Sequence, residues 1–178
     1  ARTPWGTVKK DPTTLCPTDP ESIRFLEGLY DELLPNFTSG LFNIGCDETF
    51  DLTGNGRSSA AVAEKGAGRV YLEFIRKVAD LVRARGKRPM FWGDVILRHP
   101  ELVPELPPDM VALDWGYEGN HPFLDEARKF RDAGLDFYLT KSPKVIRKGE
   151  SVIGRFMRLI MPLPLRINID SKSSNISP

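Results

Sequence analysis

The stretch LFNIGCDET, residues 41–49, is a short apolar segment that runs directly into two adjacent carboxylates, Asp47 and Glu48. Two later segments have the same form, MFWGD at residues 90–94 and MVALDW at residues 110–115. Acids and tryptophans therefore follow the apolar part of three successive strand-like segments. In a parallel α/β barrel these strand ends form the face on which active sites are built. The pattern predicts an α/β fold of the (β/α)8 TIM-barrel type.

Helical and strand-like periodicities alternate around these segments. The predicted helices cover residues 20–34, 65–85 and 122–133, and the predicted strands cover residues 41–46, 90–92, 110–114 and 135–139. Asp19 and Pro20 supply the cap and the first position of the first helix, and Gly86 follows the second. Four strands joined by three connections predict a parallel sheet.

The composition of the chain limits the classes of partner that it is expected to bind. The chain has 178 residues, of which 40% are hydrophobic and 28% charged, so it reads as globular. A net charge of +1 gives no case for nucleic acid or an anionic membrane as a partner. No apolar run approaches the roughly 18–20 residues of a membrane-spanning helix, and the first residues lack the pattern of a signal peptide. The sequence assigns no cellular compartment, and it does not decide whether Cys16 and Cys46 form a disulfide bond.

Charge and pattern divide the chain into two parts. Residues 1–140 hold 17 Lys and Arg against 22 Asp and Glu, a net charge of −5. Residues 141–178 hold 8 against 2, a net charge of +6, and lose the strand–helix rhythm. We expect a barrel segment over 1–140 and a basic, irregular tail over 141–178.

The acids and tryptophans at the predicted strand ends, here called the rim residues, suit the cleavage of a glycosidic bond. That reaction needs an acid for the leaving oxygen and a negative or nucleophilic group that supports the oxocarbenium-like centre. Neighbouring strand residues point to opposite sides, so Asp47 and Glu48 reach one sugar only where the strand ends and turns. Trp92 and Trp115 would offer apolar faces on which a pyranose ring stacks.

Two further acids, Asp94 and Asp114, lie at the same predicted rim. One open alternative is an ordinary two-carboxylate glycosidase that pairs Glu48 with Asp94 and cleaves glucosides without a 2-acetamido group. His99 and His121 stand beside prolines with no Cys or His at ligand spacing. They are predicted to be structural or surface residues, and no metal site is predicted.

The segment FNIGCDET, residues 42–49, resembles the strand-four signature of glycoside hydrolase family 20, the β-N-acetylhexosaminidases. The resemblance covers roughly residues 13–140, with Asn43 in the place of the family's His. It implies that the 2-acetamido oxygen of the sugar attacks the anomeric carbon. By the same resemblance Glu48 is the general acid and then the base, and Asp47 orients the acetamido nitrogen. Trp92 and Trp115 would wall the pocket, and neither a metal nor an organic cofactor is implied.

The order of these motifs implies a partial barrel of about strands four to seven. Such a sheet has two open edges, which require the remaining strands, a partner chain or self-association. The expected activity is an exo-glycosidase that releases terminal N-acetylhexosamine from a glycan or glycoconjugate. The alternative of another class is a non-catalytic carbohydrate-binding or interaction fragment with an incomplete site.

Overall fold

The computed structural model describes residues 14–53, 57–118 and 120–141, which contain four α-helices and four strands. In chain order they are α1 (Pro20–Leu33), β1 (Leu41–Asn43), α2 (Ser59–Lys65), α3 (Ala67–Arg83), β2 (Arg88–Trp92), β3 (Val111–Gly116), α4 (Phe123–Asp132) and β4 (Asp136–Lys141). Short 3-10 turns at Ile96–Arg98 and Pro100–Glu105 connect β2 to β3. None of these helices has the length and apolar character needed to cross a bilayer.

The four strands form one parallel sheet in the order β1-β2-β3-β4. Asn43 lies beside Met90, and Met90 lies beside Val111, so the registers of the first three strands are continuous. A sequential order of parallel strands is the arrangement of a barrel wall, because each new strand is added on the same side. The predicted parallel sheet is confirmed, and the fold is that of a partial (β/α)8 barrel.

Helix α1 begins where the sequence predicts it. The Asp19 carboxylate accepts a hydrogen bond from the backbone N–H of Glu21 at 3.0 Å, and Pro20 occupies the first helical position. The helix predicted over residues 65–85 corresponds to α3, whereas α2 was not predicted and is separated from α3 by Gly66, with a φ of +84°. Glycine adopts this left-handed region without a steric cost.

The core lies between the sheet and the helices. Ile75 of α3, Phe91 of β2, Ala112 of β3 and Phe130 of α4 belong to one buried cluster and are fully inaccessible to solvent. Since side chains alternate along a strand, the residues that flank Phe91 and Ala112 point to the other face of the sheet. That second face is the inner face of the barrel wall.

By its contacts the chain divides into two units, Ala1–Ser142 and Pro143–Pro178. Every described residue belongs to the first unit. Apart from Lys141, the basic tail predicted over 141–178 lies outside the described residues, and its irregular character stays a prediction.

Candidate active site

The two carboxylates stand on a sharp turn that follows β1. The last carbonyl paired to the sheet is that of Gly45, which accepts a hydrogen bond from the Trp92 N–H at 3.0 Å. The backbone then adopts positive φ angles at Gly45 (+74°), Cys46 (+68°) and Glu48 (+48°). Positive φ is uncommon outside glycine, so surrounding contacts must maintain this turn. As a result Asp47 and Glu48 both leave the strand direction, and both are exposed.

Asp94, two residues after the end of β2, anchors the turn from the neighbouring strand. Its Oδ2 accepts a hydrogen bond from the backbone N–H of Glu48 at 3.1 Å, and the indole N–H of Trp115 also donates to its carboxylate. Burial raises the pKa of Asp94, the bond from Glu48 opposes the rise, and the negative charge of Asp47 adds to it. Among the described residues, the buried Oδ1 has no hydrogen-bond partner.

Two further side chains hold the same turn. The Tyr71 hydroxyl of α3 donates to the Cys46 carbonyl oxygen at 3.0 Å, and Tyr71 is only 4% exposed. The Asn43 side-chain oxygen accepts from the Gly45 N–H at 2.9 Å. Burial raises the pKa of the Cys46 thiol to about 12, with contributions from the neighbouring carboxylates, so this cysteine stays protonated near neutral pH. The thiols of Cys16 and Cys46 are both free.

The two rim tryptophans share the inner face of the sheet. Trp92 ends β2 and is buried at 7% exposure, whereas Trp115 of β3 is half-buried. Trp115 also contacts the ring of Tyr117, with centroids 5.0 Å apart. Since Trp115 interacts with Asp94, and Asp94 accepts from the backbone of Glu48, Asp94 links the end of β3 to the turn after β1 at the carboxyl edge of the sheet.

The structure places Asp114 away from this group. Asp114 is 2% exposed and sits on the helix-facing side of β3, beside Glu126 of α4 and His121 of the preceding loop. Its Oδ1 lies 3.7 Å from His121 Nε2, which in turn lies 2.7 Å from Glu126 Oε2. Burial raises the pKa of Asp114 well above its usual range, and the charge of Glu126 raises it further. The sequence analysis placed Asp114 at the sugar rim and missed this cluster, although strand alternation opposite Trp115 signals it.

A groove of about 550 Å³ opens beside the carboxylate pair. Asp47 and Glu48 lie at one end, and Tyr71, Leu26 and Phe74 are among the residues that line the rest. Residues of α1, of α3 and of the turn after β1 line the groove, and neither rim tryptophan does. The groove is therefore distinct from the inner face on which a sugar would meet Trp115.

Comparison with known proteins agrees with this geometry. The family model for the catalytic domain of glycosyl hydrolase family 20 matches residues 1–143. A lacto-N-biosidase of Bifidobacterium bifidum is 28% identical over 152 residues, a match that covers 78% of this chain and 13% of that protein.

Solved structures share the fold. A β-N-acetylhexosaminidase from Bacteroides fragilis aligns with a TM-score of 0.57 at 21% identity, over 72% of this chain and 26% of that chain. A chitobiase from Flavobacterium johnsoniae aligns with a TM-score of 0.55 at 22% identity, over 72% of this chain and 20% of that chain. The chain thus spans about a quarter or less of the length of these relatives. With a family match over most of its residues, the chain belongs to glycoside hydrolase family 20 and carries part of the catalytic domain.

Proposed function

We propose that this chain carries the catalytic pair of an exo-glycosidase that releases terminal N-acetylhexosamine by substrate-assisted, retaining hydrolysis. The observation that supports it is the turn after β1, which presents Asp47 and Glu48 to solvent at the carboxyl edge of a partial barrel. The substrate is an N-acetylhexosamine-containing glycan or glycoconjugate. The chemistry draws only on side chains and on the substrate's own acetamido group.

In this proposal Glu48 protonates the glycosidic oxygen as the bond from that oxygen to the anomeric carbon breaks. The acetamido carbonyl oxygen of the same sugar attacks the anomeric carbon from the opposite face and closes an oxazolinium ring. Asp47 accepts the acetamido N–H and stabilises the positive charge. Glu48, now a carboxylate, removes a proton from water as the water attacks the anomeric carbon and opens the ring. Two inversions give net retention.

The engagement of Asp94 argues against an ordinary two-carboxylate mechanism. A second catalytic carboxylate has to face the anomeric carbon, yet Asp94 Oδ2 is engaged by the Glu48 N–H and Oδ1 is buried. Its partial burial also disfavours the ionised form that a nucleophile requires. The acetamido group of the substrate is therefore the better candidate for the attacking group.

The remaining rim residues take supporting roles in the proposal. Trp115 is half-exposed beside the carboxylates and can stack on a pyranose ring, whereas the buried Trp92 limits the depth of the pocket. Asn43 orients the turn through the Gly45 N–H. Asp114 takes no part in sugar binding, because it lies under α4 on the opposite face of β3.

A second candidate is a carbohydrate-binding fragment without turnover. In the described part of the chain β1 and β4 each have one strand neighbour, so the sheet forms only part of a barrel wall. Unpaired edges of this kind call for further strands, a partner chain or self-association. If nothing supplies the opposite wall, the sugar is held on one side only and is not positioned for attack.

The test is hydrolysis by the pure chain of a chromogenic N-acetyl-β-glucosaminide, measured beside the plain β-glucoside. We expect cleavage of the acetamido sugar and no cleavage of the glucoside. Equal cleavage of both would support the pairing of Glu48 with Asp94 instead. Binding of the acetamido sugar without cleavage would support the binding fragment.

A further inference from the structure

The side chains of Asp114, His121 and Glu126 form a compact group on the helix-facing side of β3. Each offers one ligand atom, and these atoms lie within 4.8 Å of one another. The three residues come from β3, from the loop that follows it and from α4, so the group exists only in the folded chain. We refer to them as the β3–α4 cluster.

The β3–α4 cluster holds buried polar atoms with no hydrogen-bond partner. Asp114 Oδ2 has none among the described residues, and His121 Nε2 and Glu126 Oε2 lie 2.7 Å apart without the geometry of a hydrogen bond. The Asp114 side chain is only 3% exposed, and its carboxylate points at the histidine, with Oδ1 at 3.7 Å from Nε2. Leaving a buried polar atom unsatisfied is costly, so such a group normally binds something.

The spacing within the cluster fits one cation. Ligand atoms at about 2.1 Å from a metal lie about 3.0 Å apart at octahedral angles and about 3.4 Å apart at tetrahedral angles. The observed separations of 2.7 Å and 3.7 Å from His121 Nε2 bracket these values. An imidazole nitrogen beside carboxylate oxygens favours a transition-metal ion such as Zn²⁺ over Ca²⁺ or Mg²⁺, which prefer oxygen ligands only.

Neighbouring residues hold the His121 ring in place and leave the cluster partly open to solvent. A Cβ built on Gly116 would lie 2.4 Å from the His121 ring, so the ring packs directly on this glycine. The ring of Phe123 packs on the same imidazole, with centroids 4.3 Å apart. The side chains of His121 and Glu126 keep exposures of 23% and 17%, through which a cation and a completing water can enter.

We propose that Asp114, His121 and Glu126 bind a divalent transition-metal ion that fastens α4 and its preceding loop to β3. The site is separate from Asp47 and Glu48, because Trp115 faces the rim while Asp114 faces the helices. The metal therefore has a structural role. It stabilises the fold because it binds the folded chain and not the unfolded chain.

The test uses Zn²⁺ alone as the probe on the full chain. After dialysis against Zn²⁺, we expect one equivalent of metal per chain and a rise in Tm that a chelator reverses. Asp114→Asn, His121→Ala and Glu126→Gln should each weaken Zn²⁺ affinity by at least about 100-fold. The control Asp125→Asn, an exposed acid on the same helix, should leave the affinity unchanged.

Two results would overturn the proposal. One is no stoichiometric Zn²⁺ uptake, which would mean that the three side chains satisfy one another without a metal. The other is unchanged uptake by a variant that carries both Asp114→Asn and Glu126→Gln, which would place the metal elsewhere. Both substitutions nearly conserve shape, and far-UV circular dichroism checks that each variant is folded. Neither result bears on hydrolysis at Glu48.

Discussion

At the residue scale, Asp94 connects the turn that carries Glu48 to Trp115 near the end of β3. Its Oδ2 holds the backbone of Glu48, and its carboxylate receives the Trp115 indole N–H. Because the backbone of Glu48 is in a positive-φ conformation, loss of this acceptor frees the turn that positions the acid. Asp94 is therefore a positioning residue, and its task requires an acceptor oxygen more than a negative charge.

This distinction can be measured with two variants at the same position. Asp94→Ala should lower kcat on the N-acetyl-β-glucosaminide by about 100-fold, because the acid is misplaced. Asp94→Asn should lose much less, since the amide oxygen can still accept from the Glu48 N–H. If the asparagine variant is as damaged as the alanine variant, the charge is required, and the two-carboxylate alternative gains support.

Tyr71 supports the same turn from α3, and its contribution is to stability. Tyr71→Phe removes the donor to the Cys46 carbonyl and leaves that oxygen without this bond. We expect the free energy of unfolding to fall by about 1–2 kcal/mol, measured by urea denaturation. The control is Tyr117→Phe at a 51% exposed position, where the change should stay within about 0.5 kcal/mol. Equal effects of the two substitutions would contradict a specific role for the Tyr71 hydroxyl.

At the element scale, close contact between β2 and α4 depends on a glycine. A Cβ on Gly93 would lie 2.7 Å from Phe130 Cζ, and Phe130 is fully buried in the core. Gly93→Ala should therefore lower the free energy of unfolding by about 1–3 kcal/mol, because the packed ring has no space to withdraw. The glycine lies directly before Asp94, so the approach of α4 and the position of the rim are coupled.

Gly28 offers a control at which the same substitution is expected to change the free energy of unfolding in the opposite direction. It lies inside α1, where an added Cβ meets nothing within 4 Å. Gly28→Ala should raise the free energy of unfolding by about 1 kcal/mol through the higher helix propensity of alanine. Thermal or urea denaturation of both variants measures the two stability changes. A Gly93→Ala variant as stable as the parent would contradict the claim that Phe130 packs tightly against Gly93.

The element order could be predicted from sequence because each element has a local signal. Apolar runs mark the four strands, and the Asp19–Pro20 pair marks the start of α1. Helix α2 and the break at Gly66 were not predicted, since α2 is short and has no buried residues, so it carries no clear apolar stripe of its own. Whether a glycine adopts positive φ depends on how the two helices pack, and no local pattern reports that.

The site was only partly predictable for a related reason. Asp47, Glu48 and Asp94 all follow strands, and strand ends meet at one edge whatever the details of packing. Asp114 also comes near the end of its strand, but the pleat turns it away from the edge and toward α4. Its partners His121 and Glu126 come from a loop and a helix, whose approach to the strand depends on tertiary packing.

At the scale of the whole molecule, the described part of the chain is one portion of a barrel wall, with the turn that carries Asp47 and Glu48 at its carboxyl edge. Membership of a family whose catalytic domain is a (β/α)8 barrel explains the sequential order of the parallel strands. The described wall has free sides at β1 and β4, and Asp47 and Glu48 directly follow β1. Whatever completes the wall at β1 would therefore also border the two proposed catalytic residues, and the proposed activity is expected to depend on completion of the barrel.

The central claim is that Glu48 supplies the proton for acetamido-assisted cleavage, and one comparison tests it most directly. Steady-state turnover of a chromogenic N-acetyl-β-glucosaminide is measured for the parent chain and for Glu48→Gln, together with binding of N-acetylglucosamine. The account predicts that kcat falls by about 10²–10⁴-fold in the variant while sugar binding persists, because the amide cannot donate an acidic proton. Equal turnover by the two chains, or no turnover by the parent, would contradict it.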